Sequence, residues 1–172
     1  FLLQPVCRLM WEQMRAGGYL QIDETPVKVL DPEVKGRAAQ GYLWFYAVPH
    51  EDVILEFQEG RGQEGLKEKL QHFRGTIQTD AYEVYNAFRR ELPAIQRIGC
   101  LAHARRRFYQ AVLEGAVAAL WFISQIRQLY LIEDQTRDLE APARKALRRQ
   151  QAGPIWKGLK KRALELKADP AC

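Results

Sequence analysis

Apolar positions change their period several times along this chain. Leu2, Val6, Leu9 and Met10 recur at helical spacing over residues 2–14, and Gly17-Gly18 supplies a stop. Residues 19–30 then read as a strand, with Pro26 as an interruption. Residues 31–40 mix Pro, Gly and charge and predict a turn or loop. Residues 41–48 are aromatic and apolar throughout, as in a buried strand, and 53–57 predict a third strand. The two connections are short enough for an antiparallel meander.

Helical spacing returns at 63–73, with Leu66 and Leu70 inward. A short strand over 75–79 ends at Asp80. A helix over 82–92 carries Val84, Tyr85 and Phe88, a strand follows at 95–100, and a helix at 103–114. Everything after that reads as helix: 116–138, 142–151 and 154–167, with Pro142 and Pro154 at first-turn positions. The order is three strands, then helix-linked strands, then helices alone. It predicts an α/β fold: a mixed sheet with flanking helices, followed by an all-α segment. The organisation expected is a linker helix at 1–18, a core at 19–115 and a helical segment at 116–172.

Charge adds to this picture. The net charge is +5. Residues 1–115 hold 15 Lys and Arg against 15 Asp and Glu, while residues 116–172 hold 11 against 6. The excess sits in the helical third, which suits either a polyanion such as nucleic acid or a solvated helical face. No apolar run reaches the roughly 20 residues of a membrane span, so no membrane partner is expected. Cys7, Cys100 and Cys172 are few and far apart, which argues against a disulfide framework and for a reducing compartment. Cys100 and His103 have a C-x-x-H spacing, but no second pair follows to complete a zinc site.

The chemistry-bearing residues are acids at strand ends. Asp23, in Tyr-Leu-Gln-Ile-Asp-Glu-Thr-Pro, and Asp80, in Thr-Ile-Gln-Thr-Asp-Ala-Tyr, each stand near the end of an apolar, β-branched run. Ligands of such sheets favour strand ends. Singly, Asp23 also reads as an Asx turn ahead of Pro26, and Asp80 as a helix cap. Together they read as oxygen ligands for Mg²⁺ or Mn²⁺, in a site with two ions about 3.5–4 Å apart that serves phosphoryl transfer. Glu24 should face the opposite way and play a supporting part.

A second cluster is His103-Ala-Arg-Arg-Arg-Phe. On a helix, Arg106 and Arg107 share a face with His103, while Arg105 lies nearer the apolar face of Leu101, Ala104 and Phe108. Three arginines in a first turn oppose the helix dipole, so a phosphate or a neighbouring carboxylate should compensate. Trp44, Phe45 and Tyr46, and likewise Trp121, Phe122, Ile126 and Leu129, read as packing. Gly60-Arg-Gly-Gln-Glu-Gly lacks the lysine and hydroxyl residue of a phosphate cradle and reads as a loop with a helical first turn.

Four of these stretches, in order, resemble one family. Asp23-Glu-Thr-Pro, Gly41-Tyr-Leu-Trp-Phe-Tyr-Ala, Gln78-Thr-Asp-Ala-Tyr-Glu-Val-Tyr-Asn and Cys100-Leu-Ala-His-Ala-Arg-Arg-Arg-Phe look like the central domain of insertion-sequence-66 family transposases. The clear match runs over 19–114, and the helical remainder is similar in character to that family's insertion. The resemblance implies a ribonuclease-H-like fold, a DDE mechanism and a bacterial cytoplasmic setting. Its expected partners are transposon-end and target DNA, with room for a homo-oligomer. Asp23 and Asp80 match the first two acids, and Arg105, Arg106 and Arg107 are the expected DNA contacts. The family's third acid lies in an Asn-Asn-x-x-Glu-Arg motif that this sequence lacks. Glu114, Glu133, Glu140 and Glu165 stand in no such context, and the third acid is unassigned. Leu101 stands where the family commonly has Trp. The expectation is a truncated DDE transposase piece with incomplete strand cleavage and transfer; the alternative is a non-catalytic DNA-binding or interaction remnant. A ribonuclease or resolvase relative explains less, because those folds do not account for the 100–108 motif.

Overall fold

A computed structural model of the protein describes residues 2–30, 38–80 and 91–168. They form two compact units, Phe1–Cys100 and Leu101–Cys172. The division falls at Cys100, so the helix that begins at Leu101 clusters with the helices after it.

The first unit opens with α1 (Gln4–Ala16), with Pro5 in its first turn. A three-stranded meander follows: β1 (Tyr19–Leu30), β2 (Ala38–Ala47) and β3 (Val53–Gln58), each antiparallel to the one before. Helix α2 (Gln63–Leu70) leads to β4 (Gly75–Thr79), and β5 (Ile95–Gly99) completes the unit. The sheet order is β3-β2-β1-β4-β5, with β4 parallel to β1 and β5 parallel to β4. The expected meander and the expected parallel strands are both present. The helix expected over 82–92 falls almost wholly on 81–90, outside the described residues.

Strand alternation sorts the side chains. Leu20 and Ile22 of β1, Trp44 and Tyr46 of β2, Ile54 of β3, Ile77 of β4 and Ile95 of β5 are buried on one face. Trp11 and Met14 of α1, Leu66 and Leu70 of α2, and Phe73 close over them as one core. The opposite face carries Gln21 and Asp23, Phe45, and Leu55, paired in register across three strands. There Val53, Leu55 and Phe57 stand about half exposed. The segment 41–48 is therefore buried on one side only: Trp44 and Tyr46 are core, while Phe45 is half-buried.

Two expectations about strand limits are corrected. Pro26 does not interrupt β1 but pairs with Tyr42 inside the ladder. Pairing of β1 with β4 covers only Tyr19–Gln21, and beyond that point no described strand pairs with this side of β1, where a residue that cannot donate is tolerated. Residues 38–40, expected in a loop, are the start of β2 and pair with Lys28–Leu30. The register of a long hairpin overrides the weak strand preference of two alanines.

The second unit is all helix: α3 (Leu101–Leu113), α4 (Ala119–Thr136), α5 (Ala141–Leu147) and α6 (Gly153–Ala168). Phe122, Leu129, Ile132, Ala152 and Leu159 form its core, with Leu101, Phe108 and Leu147 packed against them. Phe108 and Phe122 stack with ring centroids 4.4 Å apart and planes 4° from parallel. Pro154 stands in the first turn of α6, as expected, but no break precedes it. The backbone stays helical from α5 to α6 through a π turn, Arg148–Ala152. A π turn shifts the hydrogen-bond register just ahead of a residue that has no N–H to give. Trp121, expected to pack, is partly exposed beside Phe122.

Candidate functional site

The parallel pairing of β1 with β4 decides where the two strand-end acids stand. Tyr19, Leu20 and Gln21 pair with Thr76, Ile77 and Gln78. Asp23 lies two residues beyond Gln21, and Asp80 two beyond Gln78. Both acids are thus the same distance past the last paired residues of neighbouring strands. Alternation keeps Asp23 on the face of Tyr19 and Gln21, opposite the core. That face is polar here: Gln21 Nε2 donates to Gln78 Oε1 at 3.4 Å, and the Tyr19 hydroxyl also donates to Gln78. Asp23 is exposed and Asp80 half-buried.

Local bonds fix the backbone around each acid. Asp23 Oδ1 accepts the Glu24 N–H at 3.0 Å. The Thr79 carbonyl accepts the Cys100 N–H at 2.8 Å, and the buried Thr79 hydroxyl donates to the Asp80 carbonyl at 3.0 Å. The segment entering Asp80 is thereby tied to the end of β5. Two carboxylates in these positions could serve a hard oxygen-seeking cation that takes its other ligands from water and substrate phosphate. Among the described residues no group of three or more His, Cys, Asp or Glu gathers at one point.

Glu24 faces away from Asp23, as expected, and enters the core face. Its side chain is 1% exposed. Arg61, in the loop before α2, donates to Glu24 Oε1 through Nε at 2.8 Å and also through Nη2. The guanidinium lies 6.0 Å from the Tyr42 ring centroid. Glu56, on the same row as Trp44 and Glu24, accepts Lys69 Nζ at 2.7 Å and Trp11 Nε1 at 3.4 Å. Trp44 lies between these two carboxylates in register, and Tyr46 stands on the next row of the same face, between Ile22 and Ile54. Burial pushes its hydroxyl pKa well above 10.0, and the Glu56 and Glu24 charges push it further. The role of Arg61 was not legible in the sequence, where it is one charge between two loop glycines. The polar alternation Tyr19-x-Gln21-x-Asp23, echoed by Gln78-x-Asp80, was the available signal for the polar face.

The arginine cluster lies in the second unit. Arg105, Arg106 and Arg107 are all exposed on α3, while Leu101 and Phe108 pack inward. Arg105 therefore does not turn toward the apolar face. Because α3 begins at Leu101 rather than at residue 103, the arginines stand beyond the first turn. The dipole penalty expected there has mostly decayed, since it falls off within that turn. The second unit holds 14 Lys and Arg against 7 Asp and Glu, and the first unit 12 against 14. The positive charge is thus concentrated in the helical unit. No described helix is long and apolar enough to cross a membrane.

The profile described as "Transposase IS66 family" matches residues 1–170. The chain is similar to the uncharacterized protein y4qI of Sinorhizobium fredii, at 29% identity over 170 residues, covering 90% of this chain and 31% of that protein. It is also similar to the uncharacterized protein y4jD of the same organism, at 33% identity over 181 residues, covering 97% of this chain and 35% of that protein. The chain thus spans about a third of the length of these relatives. No solved structure matches it significantly.

Proposed function

The chain belongs to the IS66 transposase family, and from that premise we propose that its first unit carries two acids of a metal-dependent centre for DNA strand cleavage and transfer. The acids are Asp23 and Asp80, and the ions they would hold are Mg²⁺ or Mn²⁺. The observation that carries the reading is their equivalent position past the Gln21–Gln78 pair of two parallel strands. The sheet order β3-β2-β1-β4-β5, with three antiparallel strands followed by two parallel ones, supports a ribonuclease-H-like assignment.

Each residue has a definite part in this reading. Two carboxylates on one sheet face would hold divalent cations, which supply Lewis acidity toward a phosphodiester and its attacking oxygen. The Tyr19–Gln21–Gln78 contacts keep that face polar up to the acids. Asp23 is exposed, so a bulky polyanion can reach it. Arg105, Arg106 and Arg107, with the basic excess of the second unit, would bind the DNA backbone without reading sequence. Transposon ends and target DNA are the substrates proposed for the whole protein, of which this chain represents one part.

A Mn²⁺ titration of the 172-residue chain, followed by paramagnetic broadening of backbone amides, tests the proposal. Broadening should centre on Asp23 and Asp80 and disappear in Asp23→Asn and Asp80→Asn, with the fold unchanged. Broadening that ignores both substitutions would overturn it.

A further inference from the structure

We infer that Arg61 is a positioning residue for Asp23 and acts through Glu24; the inference rests on the metal-binding reading of Asp23. A strand that alternates core and solvent faces places Glu24 among Leu20, Ile22 and Trp44. A carboxylate at that depth keeps its charge only with a close partner. Arg61 is that partner through two N–H groups on one oxygen, while its own side chain remains 36% exposed. The pair anchors β1 to the loop before α2 on the core face. Asp23 and Glu24 share the peptide whose N–H donates to Asp23 Oδ1. Holding the Glu24 side chain therefore holds that peptide plane, and the plane orients the Asp23 carboxylate on the other face. Arg61 itself lies on the core side of β1 and is no ligand. Its effect reaches Asp23 only through the backbone.

The test uses the whole chain and two readouts. The first is hydrogen exchange of the Glu24 amide in metal-free protein. Arg61→Ala should lose protection there, because Glu24 loses the two-pronged donor that ties its carboxylate to the loop before α2, and the peptide is held less firmly. The second is the Mn²⁺ affinity of the Asp23 and Asp80 site, which should fall by roughly 10–100-fold, as for other residues that orient a ligand. The double variant Arg61→Ala, Glu24→Gln, which removes the charge that needs a partner, should recover most of both. Unaltered Glu24 exchange in folded Arg61→Ala overturns the inference, whatever the metal data. Loss of Mn²⁺ affinity that the double variant does not recover also overturns it and assigns Arg61 a direct role. Altered exchange with no Mn²⁺ site at Asp23 even in the parent chain sinks the metal reading alone and leaves the anchor standing. If Arg61→Ala does not fold, Arg61→Lys serves: one ammonium replaces a two-pronged donor, and an intermediate loss of both readouts is expected. A folded Arg61→Lys with neither readout changed overturns the inference.

Discussion

Gly75 lies directly against the backbone of Gly18. A Cβ on Gly75 would stand 2.1 Å from the Gly18 carbonyl oxygen, and the residue adopts φ +140°. Next to it, the Thr76 N–H donates to that same carbonyl at 2.8 Å. This crossing starts the parallel pairing of β1 with β4, and so fixes which residue of one strand stands beside which of the other. Gly75→Ala should therefore destabilise the first unit by at least about 2 kcal/mol, from the unfavourable φ together with a clash that no side-chain rotation can relieve. Urea unfolding measures it. Gly99→Ala is the control: a Cβ there meets nothing within 4 Å, and the change should stay within about 0.5 kcal/mol.

Tyr46 is a core group that ties stability to alkaline pH. It is fully buried, and its hydroxyl has no hydrogen-bond partner among the described residues. Burial, Glu56 and Glu24 all oppose its ionisation in the fold. The unfolded chain ionises near the ordinary value of 10.0, while the folded chain stays neutral above it. The contribution is whole below that pH and is lost as pH climbs beyond it, where ionisation favours the unfolded state. Tyr46→Phe should leave neutral-pH stability unchanged or raise it by up to about 1 kcal/mol, because it removes an unsatisfied buried hydroxyl. It should also flatten the loss of stability above pH 10, as followed by chemical unfolding across pH.

Much of this architecture was legible in the sequence. The apolar, β-branched runs before Asp23 and Asp80 marked β1 and β4. The short connections gave the meander. What alternation could not give was the neighbour of each strand. The Asp23–Asp80 relationship depends on a backbone crossing between Gly18 and Gly75, 57 residues apart, and neither glycine announces a partner. Pro26 misled because its cost depends on whether the strand edge beside it is paired. Pro154 marked a first turn but not the continuity before it, because a π turn can absorb a missing donor inside a continuous helical path. Arg61 was hidden because a loop charge has no periodicity to reveal that it closes on a buried acid.

In the second unit, packing of α3 on α4 rests on the Phe108–Phe122 stack. Phe122 is buried and Phe108 half-buried. Phe108→Ala should lower the stability of the helical unit by about 2 kcal/mol, less than a fully buried aromatic would lose. Phe108→Leu should recover roughly half of that, since it restores area but not the stacked geometry. Thermal unfolding of the two variants beside the parent chain measures both.

The arginines of α3 give the sharpest test of the proposed DNA surface. Arg105, Arg106 and Arg107 are all exposed, so none of them supports the core. The expected binding is weak and sequence-tolerant, and it falls steeply with salt because each neutralised phosphate releases counterions. Each arginine that touches a phosphate contributes about 0.9 to the slope of log affinity against log salt on duplex DNA. Arg106→Ala, Arg107→Ala should flatten the slope by up to about two units, and adding Arg105→Ala by up to about three. Fluorescence anisotropy on unrelated duplexes at several salt concentrations measures it. Since exposed positions carry these changes, unfolding midpoints should move little. A slope that the triple variant leaves unaltered, with the fold intact, would assign the arginines to the solvated face of α3 and overturn their proposed contact with DNA.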